Sequence, residues 1–307
     1  MKYIKGKTEF HIEEPTVISF GKFDGLHRGH ELLMDYMFEK KKTGLSTVVF
    51  TFDIPPKSLI SRAPHKLITT NEERRNIFEH IGVDYLIECP FTPDIMCMEP
   101  QEFIRKIVEE LNVKCMVAGR DFQFGHNRAG TYRTLIQYAG ELGYEVAVME
   151  KIRDGKRDIS STFIRERISA GDIEMANRLL GYAFFVQGTV EHGNHMGGPV
   201  LGFPTINLLP PPDKLLPPNG VYITETTVGE STYQGISNVG CKPTIAGGNP
   251  IGVETHIFDF NRNIYGSQVK VEFLKRVRPE YKFASLEELT AQMQEDIAFA
   301  EKFFELH

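Results

Sequence analysis

The chain has 307 residues, of which 41% are hydrophobic and 25% are charged, and this composition is typical of a soluble protein with about two domains. Its formal net charge of −6 provides no basic field for nucleic acid. No apolar run approaches the roughly 20 residues of a membrane span, and Met1–Phe10 is polar and lysine-rich, unlike a signal peptide. We therefore expect a cytoplasmic protein that binds neither nucleic acid nor membranes. The chain has four scattered cysteines, Cys89, Cys97, Cys115 and Cys241. They include no C-x-x-C pair, which argues against a disulfide framework and against a thiolate zinc site.

The first half of the chain alternates apolar runs with amphipathic stretches, which predicts a parallel sheet covered by helices on both faces. The predicted strands are Thr16–Phe20, Ser46–Phe52, Val83–Pro90, Lys114–Ala118 and Tyr144–Glu150. The predicted helices are about His30–Lys42, Asn71–Ile81 with an Asn cap, Gln101–Leu111 and Thr131–Leu142. Ligands bind such sheets beyond the carboxyl ends of the strands, so the β-to-α loops are the candidate sites.

The second half consists of short strands separated by Gly, Pro and Asn turns, which predicts an antiparallel barrel or sandwich. The predicted strands are Phe185–Val190, Val221–Val228, Ser231–Val239, Gly252–Phe258 and Gln268–Leu274. A last helix is predicted at roughly Leu286–Phe304, and two short helices, Ser161–Ala170 and Ile173–Leu180, join the halves. We expect one domain over residues 1–182 and a second over residues 183–307.

The loop after the first strand, Gly21–His30, reads G-K-F-D-G-L-H-R-G-H. Its glycines allow the backbone to approach a ligand closely, and the free amides at the start of the next helix attract phosphate. The spacing of His27 and His30 lets both imidazoles face one phosphate group and donate hydrogen bonds to charge that develops on a nucleotide α-phosphate. A glycine turn with surface histidines and a metal-binding histidine pair are the alternatives, although no third ligand lies at suitable spacing in the local sequence.

This loop resembles the H-x-G-H motif of nucleotidyltransferases, in the form that bacterial bifunctional riboflavin kinase/FAD synthetases carry. The resemblance implies that His27 and His30 are catalytic. It also implies that other residues of the loop contact ATP: Gly21, Phe23, Asp24, Gly25 and Gly29.

A second segment, G-R-D-F-Q-F-G over Gly119–Gly125, is similar to the family's G-x-[DN]-F-x-F-G loop. In the family this loop follows the fourth strand and holds the nucleotide and the flavin. The resemblance implies that Asp121, Phe122 and Phe124 contact the flavin.

A third segment, S-S-T-F-I-R over Ser160–Arg165, is similar to the family's S-S-T-x-x-R motif. Read without the family, it is a helix N-cap cluster whose hydroxyls and amides, with the arginine, also make a plausible phosphate clamp. The resemblance implies that the motif residues grip the phosphates of ATP: Ser160, Ser161, Thr162 and Arg165.

The segment after the second strand departs from the family pattern. Family members commonly read T-F-x-P-H-P, whereas Thr51–Lys57 reads T-F-D-I-P-P-K, with Pro55 where histidine is usual. If that histidine contacts the phosphates or the flavin, adenylyl transfer would be slow or altered. If the segment is only a wall of the flavin pocket, it would tolerate the change.

In the second half, Gly202–Asn207 reads G-F-P-T-I-N and follows the glycine-rich run Gly193–Gly198. An amide-rich loop before the oxygen-bearing side chains of Thr205 and Asn207 suits a Mg²⁺–ATP complex, because Mg²⁺ prefers hard oxygen ligands. A glycine–proline turn in a small β-domain is the alternative. We predict Thr205 and Asn207 as metal ligands, and the following residues as contacts of ATP: Gly197, Gly198, Gly202, Thr205 and Asn207.

Further segments resemble riboflavin kinase motifs in the family's order. G-F-P-T-I-N matches P-T-x-N, Pro218–Tyr222 matches P-x-G-V-Y, and Gly235–Thr244 matches G-x-x-N-[IV]-G-x-[RK]-P-T. Val253–His256 matches V-E-x-H, whose glutamate is the general base of the family. The resemblance implies that Glu254 takes the proton of the ribityl 5′-hydroxyl and that Asn238 contacts the flavin.

Alternation along the strand at Glu254 predicts that Glu254 and His256 face one side of the sheet, with Val253 and Thr255 on the other. His256 is expected to be structural. Arg276 and Arg278 are expected at a solvated strand end rather than beside a flavin or a phosphate.

The resemblance extends from about Thr16 to Ala300. It implies a Rossmann-like nucleotidyltransferase domain with a parallel sheet, followed by an antiparallel β-barrel riboflavin kinase domain with a terminal helix. Riboflavin and ATP would give FMN at the second site, FMN and ATP would give FAD and pyrophosphate at the first, and Mg²⁺ would act with ATP. The partners would be ATP, riboflavin, FMN and FAD, and the chain would be a monomer or a weak homo-oligomer.

Three other hypotheses remain open from the sequence. Pro55 motivates a monofunctional riboflavin kinase with a weakened or lost adenylyltransferase site. A flavin- or nucleotide-binding regulator without turnover is disfavoured, because the candidate residues at both sites have chemically competent identities. An RNA-directed adenylyl transferase is disfavoured because the chain lacks a basic surface and a tRNA-binding extension.

Overall fold

The computed structural model describes residues 1–53, 66–191, 203–241 and 251–306. The chain forms two compact units, Met1–Ser161 and Thr162–His307. The domain division expected from the sequence, between residues 182 and 183, stays a prediction.

The first unit contains a parallel sheet with helices on both faces, as the sequence predicts. Its strands are β1 (Lys2–Lys5), β2 (Thr16–Phe20), β3 (Ser46–Phe52), β4 (Tyr85–Cys89), β5 (Val113–Gly119), β6 (Gln123–Phe124), β7 (Gly130–Thr131), β8 (Glu145–Met149), β9 (Arg153–Asp154) and β10 (Arg157–Asp158). Its helices are α1 (Arg28–Lys42), α2 (Asn71–His80), α3 (Pro93–Cys97), α4 (Pro100–Glu110), a 3-10 turn (His126–Arg128) and α5 (Tyr132–Leu142). The main sheet has the order β1-β4-β3-β2-β5-β8, and its neighbouring strands pair in parallel. The pairs β6–β7 and β9–β10 are separate antiparallel hairpins.

Two hydrophobic cores lie on opposite faces of this sheet, because successive strand residues point to opposite sides. Along β2, Ile18 belongs to the core that α4 and α5 cover, and Val17 belongs to the core that α1 and α2 cover. The same alternation separates Val48 from Val49 in β3. Strands buried on both faces are therefore continuously apolar, which is why their positions could be predicted from the sequence.

The edge strand β1 and the N-cap of α2 differ from what the sequence predicts. No strand is predicted before Thr16, whereas β1 pairs with β4 from Lys2 to Lys5, and the lysines at both ends of β1 mask its apolar residues. The predicted Asn cap of α2 is wrong. Thr70 is the cap residue, since its side chain accepts a hydrogen bond from the N–H of Glu73 within a capping box.

The second unit contains an antiparallel sheet that closes into a barrel. Its strands are β11 (Phe185–Thr189), β12 (Ile206–Leu208), β13 (Gly220–Val228), β14 (Ser231–Cys241), β15 (Ile251–Ile257) and β16 (Gln268–Pro279), in the spatial order β11-β16-β13-β14-β15-β12. The helices are α6 (Ser161–Ala170), which begins at the last residue of the first unit, α7 (Ile173–Leu180) and α8 (Leu286–Glu305). A bridge between Glu191 and Asn207 brings the two end strands together, with the N–H of Glu191 2.8 Å from the carbonyl oxygen of Asn207. Of the two predicted architectures, the barrel is thus confirmed.

Arg278 fixes the terminal helix to the barrel and is not at a solvated strand end, so that expectation is wrong. Its guanidinium donates to the carboxylate of Asp296 on α8, with Nε 2.9 Å from Oδ1 and Nη2 2.7 Å from Oδ2. The carboxylate side of this pair is 3% exposed, and the guanidinium also lies over the rings of Tyr281 and Phe283. Arg278 lies within β16, which runs to Pro279 and so extends beyond its predicted end at Leu274.

We expect Asp296→Ala to lower the free energy of unfolding by about 3 kcal/mol, because it leaves the Arg278 guanidinium, whose side chain is only 13% exposed, without its bidentate partner. Urea unfolding of the full chain, followed by circular dichroism, measures the change. The control is Glu174→Ala, which breaks the more exposed pair with Lys275 and should cost less than about 1 kcal/mol. Equal losses in the two variants would contradict the importance given to the Arg278–Asp296 pair.

Candidate active sites

The loop Gly21–His30 joins the carboxyl end of β2 to α1 and follows an unusual backbone path. Phe23 has φ 48° and Gly25 has φ 65°, both in the left-handed region. Phe23 is a bulky residue in this region, so its conformation persists only if the surroundings hold it. At Gly25 a Cβ atom would lie 2.7 Å from Cγ2 of Ile68, so glycine is required for space as well as for φ.

Contacts within the first unit fix this backbone path. The Oδ1 atom of Asp24 accepts hydrogen bonds from the N–H groups of Ile68 (2.8 Å) and Thr69 (3.1 Å). The N–H of Gly25 donates to Oγ1 of Thr69 at 3.0 Å, and Oγ of Ser161 donates to the carbonyl oxygen of Asp24 at 2.7 Å. The buried Asp24 carboxylate therefore holds the loop, and its predicted contact with nucleotide stays a prediction.

The imidazoles of His27 and His30 stack on each other with their ring centroids 3.8 Å apart and their planes 18° apart. Gly29 makes room for this arrangement, because a Cβ atom there would lie 3.1 Å from the His27 ring. The Nδ1 atoms of both histidines are buried and have no hydrogen-bond partner in the part of the chain that the structure describes. Buried polar atoms without partners are uncommon in folded proteins and are typical of a site that a ligand completes.

Burial keeps both imidazoles neutral. It lowers the pKa of His27 from 6.5 to about 4, and it lowers the pKa of His30 well below 6.5, with a further lowering by the neighbouring His27. A neutral imidazole still carries one N–H donor, so the pair can donate hydrogen bonds to a phosphate. No group of His, Cys, Asp and Glu within the described ranges could hold a metal ion, so the structure gives no support to the metal-pair alternative.

Aromatic rings form a wall at the carboxyl edge of the parallel sheet, where the predicted flavin residues lie. Phe122 stacks on Phe20 (5.5 Å between centroids) and on Phe124 (5.2 Å). Phe52, at the end of β3, packs edge-on against Phe91 at 5.1 Å. Phe20 and Phe52 are not among the site residues predicted from the sequence, although the phenylalanine that ends both β2 and β3 is a signal that could have found them.

Asp121 and Ser161 make polar contacts within the first unit. Asp121 is exposed and pairs with Lys151, whose Nζ atom is 3.1 Å from Oδ2. Ser161 contacts the loop, as described above, while Thr162 and Arg165 lie further along α6 in the second unit. The grip of these residues on ATP phosphates stays a prediction.

Some residues singled out in the sequence lie outside the described residues. They are Pro55, the ATP-loop glycines Gly197, Gly198 and Gly202, and the motif end Lys242–Thr244.

The predicted kinase residues lie together on three neighbouring strands of the barrel. Glu254 of β15 lies directly opposite Asn207 of β12 on one side and opposite Asn238 of β14 on the other. Residues opposite each other in an antiparallel sheet share a face, so these three side chains point to the same side. Thr205 precedes β12, and its Oγ1 donates a hydrogen bond to Oε1 of Glu254 at 2.7 Å. The four residues come from three sequence motifs and meet only through strand pairing.

The strand β15 alternates as the sequence predicts. Val253 and Thr255 are fully buried, whereas Glu254 and His256 are half-exposed. His256 donates from Nδ1 to the carbonyl oxygen of Pro204 at 2.9 Å, which fixes the segment that carries Thr205.

A chain of hydroxyl groups supports this strand from inside the barrel. Oγ of Ser237 lies 2.7 Å from Oγ1 of Thr255 and 2.8 Å from Oγ1 of Thr224, and all three side chains are buried. Because these buried hydroxyl groups hydrogen-bond to one another, they connect β13, β14 and β15 through directional contacts that apolar side chains would not provide.

A cavity of about 380 Å³ opens beside Thr205. Its lining combines apolar and polar side chains, including Ile257, Phe260, Arg262 and Tyr265. Arg262 lies over the rings of Phe260 and Tyr233, so aromatic and cationic groups meet at the rim. Such a lining suits a ligand with a flat ring and an anionic tail.

Known proteins match both halves of the chain. Residues 9–163 match the family model described as FAD synthetase, and residues 180–304 match the model described as riboflavin kinase. The protein of Bacillus subtilis (strain 168) named bifunctional riboflavin kinase/FMN adenylyltransferase is 35% identical over 295 residues, covering 94% of this chain and 92% of that protein. The Escherichia coli (strain K12) protein of the same name is 36% identical over 300 residues, covering 96% of this chain and 94% of that protein.

A solved structure also matches along the whole length. A Streptococcus pneumoniae protein described as a macrolide-efflux protein superposes with a TM-score of 0.87 at 32% sequence identity, covering 98% of both chains. In the chain described here, no helix within the described ranges is long and apolar enough to cross a membrane.

We expect the first unit to lose stability as the pH falls from 7 to 5. Because the pKa of His27 is 6.5 ordinarily and about 4 in the folded chain, the unfolded state takes up the proton first. The stabilisation is present above pH 6.5 and is lost toward pH 4, and His27 alone accounts for about 2 kcal/mol between pH 7 and pH 5. Urea unfolding at several pH values measures the slope.

The variant His27→Gln should show a shallower dependence on pH, and the control His11→Gln, at an exposed histidine, should keep the wild-type slope. A wild-type slope in His27→Gln would contradict the assignment of this pH dependence to the stacked pair.

Proposed function

We propose roles for individual residues in the two activities of the family to which this chain belongs, the bifunctional riboflavin kinase/FMN adenylyltransferases. The chain phosphorylates riboflavin to FMN with ATP, and it adenylylates FMN to FAD with release of pyrophosphate. The observation that carries the double function is the presence of both family domains in one chain, each with chemically competent side chains. It favours two activities over the kinase-only alternative that Pro55 raises.

In the kinase reaction, Glu254 accepts the proton of the ribityl 5′-hydroxyl as the hydroxyl oxygen attacks the γ-phosphorus of ATP and ADP leaves. The hydrogen bond from Thr205 holds the carboxylate in one orientation. Asn238 contacts the flavin in this proposal, which its position directly opposite Glu254 supports.

Mg²⁺ fits the same face of the barrel. Thr205 and Asn207 offer hard oxygen donors beside a carboxylate, and these are the ligands that Mg²⁺ prefers. Thr205 and Asn207 would hold the ion together with ATP. When bound, Mg²⁺ supplies neutralisation of the phosphate charge. The cavity beside Thr205 is lined by Ile206, Thr255 and Ile257, which face the other side of the sheet from Asn207 and Glu254, so it is not assigned to the ion.

In the adenylyl transfer, an oxygen of the FMN phosphate attacks the α-phosphorus of ATP and pyrophosphate leaves. The attacking group belongs to the substrate, so no protein nucleophile is needed. His27 and His30 donate hydrogen bonds to the charge that develops on the α-phosphate, and such bonds are strong where water is largely excluded, as at the buried His27 and the half-buried His30. The aromatic wall around Phe122 stacks against the flavin ring.

The cytoplasmic location, the lack of a nucleic-acid partner and the monomeric or weakly associating state expected from the sequence stay proposals.

Incubation of the pure chain with riboflavin, ATP and Mg²⁺, followed by chromatography of the flavins, tests the two-step function. Both FMN and FAD should form. FMN without FAD would contradict the adenylyltransferase, and unchanged riboflavin would contradict the kinase.

We expect Glu254→Gln to slow FMN formation from riboflavin by at least about 100-fold, because the amide cannot accept the hydroxyl proton. FAD formation from supplied FMN should stay at the wild-type rate, since that reaction uses the other unit. Steady-state assays of the two reactions measure this. The control Glu230→Gln, at an exposed turn glutamate of the same unit, should affect neither, and equal losses of both activities in Glu254→Gln would refute separate sites.

We expect His30→Asn to show the opposite pattern. Loss of one donor to the α-phosphate should slow FAD formation from FMN by about 100-fold, while FMN formation from riboflavin stays unchanged. The exposed His80, changed to Asn, is the matched control. A fall in FMN formation in His30→Asn would count against the role assigned to this loop.

A further inference from the structure

A buried ion pair lies in the first unit, apart from the residues that have been given a role. Nη2 of Arg74 on α2 lies 2.6 Å from Oε1 of Glu88 on β4, with the two side chains 1% and 0% exposed. Burying two charges is costly, and a buried pair is weak evidence for stability. The other hydrogen bonds of this pair indicate what it does.

Arg74 connects the ion pair to the loop Gly21–His30. Its Nη1 donates to the carbonyl oxygen of Lys22 at 3.0 Å, and its Nη2 also donates to Oδ1 of Asn71 at 3.1 Å. On the other side, the hydroxyl of Tyr3 in the edge strand β1 donates to Oε2 of Glu88 at 2.5 Å. Burial raises the pKa of Tyr3, and so does the bond to Glu88, which keeps this hydroxyl protonated. Glu88 is thus held by two donors and fixes the guanidinium in turn.

The carbonyl group that Arg74 holds belongs to the peptide just before Phe23, the residue with φ 48°. Phe23 is fully buried, and its ring packs against the His30 ring with 5.1 Å between centroids. The bonds of Asp24 to Ile68 and Thr69 hold the other side of Phe23. Since α2 and the segment before it supply both sets of contacts, they enclose the strained residue.

We propose that Arg74 is a positioning residue for adenylyl transfer, which holds the Lys22 carbonyl and thereby sets the Phe23 ring against which His30 packs. Glu88 and Tyr3 orient the guanidinium. Arg74 does not touch substrate in this role and acts only through the loop. The inference rests on the proposed adenylyltransferase function of the first unit.

The test is Arg74→Met in the full chain, which keeps most of the side-chain volume and removes every donor. We expect kcat for FAD formation from FMN to fall about tenfold or more, while KM for FMN changes less than about twofold, because a displaced histidine weakens the transition state more than it weakens substrate binding. FMN formation from riboflavin by the second unit of the same chain should match the wild type. The control Arg105→Met, which breaks only an exposed ion pair with Glu141, should leave both activities unchanged.

A second variant separates positioning from stability, since Arg74→Met leaves a buried carboxylate unpaired. In Arg74→Met/Glu88→Gln the charge is removed as well, so the thermal midpoint should return toward that of the wild type. We expect the kcat defect to persist in this double variant, because the Lys22 carbonyl still lacks its donor.

Wild-type kcat in Arg74→Met, or recovery of kcat together with stability in the double variant, would overturn the inference and leave the proposed function intact. A wild-type chain that forms no FAD would instead overturn the proposed adenylyltransferase and the inference with it.

Discussion

The first active site depends on a backbone conformation that Gly21–His30 cannot maintain by itself. Phe23 has a positive φ that is unfavourable for a bulky residue, and the contacts from α2 and the segment before it hold that conformation in place. The hydrogen bonds of the Asp24 carboxylate to two backbone amides are central to this, because they tie the loop to the start of α2. The stacking of the histidines and the burial that keeps them neutral both follow from this fixed path.

The second site depends on strand pairing. The backbone carbonyl of Asn207 accepts the hydrogen bond from Glu191 that joins the two end strands of the barrel. Asn207 also lies directly opposite Glu254, which in turn lies opposite Asn238. The strand pairing that nearly closes the barrel therefore also brings the predicted kinase residues together. On the opposite face of the sheet, the Ser237 hydroxyl bonds to Thr224 and Thr255 on the neighbouring strands. These bonds help to fix the strand register that aligns Asn207, Glu254 and Asn238.

Sequence patterns predicted those parts of the fold in which local periodicity and burial agree. The buried parallel strands and the short helices Ser161–Ala170 and Ile173–Leu180 are confirmed, the latter with the predicted bounds. The edge strand β1 was beyond reach, because a four-residue strand with lysines at both ends has no apolar pattern. Arg278 was misjudged because its partner Asp296 lies on another element, and charge pairing between elements leaves no periodic signal.

The same distinction applies to the candidate sites. The motifs located both regions, and the order of the motifs identified the family. The sequence could not reveal that the Asp24 carboxylate accepts hydrogen bonds from backbone N–H groups, since the donors, Ile68 and Thr69, are more than 40 residues away. Nor could it reveal the direct contact of Thr205 with Glu254, which exists only because β12 and β15 pair.

The hydrogen bond from Thr205 gives the two oxygens of the Glu254 carboxylate different surroundings. Oε1 of Glu254 already has a donor in the Thr205 hydroxyl, so the two oxygens of the proposed base are no longer equivalent. Oε1 is held by the Thr205 hydroxyl, whereas both lone-pair sites of Oε2 stay open to a donor among the described residues. An alcohol that donates to the proposed base would therefore meet less competition at Oε2 than at Oε1.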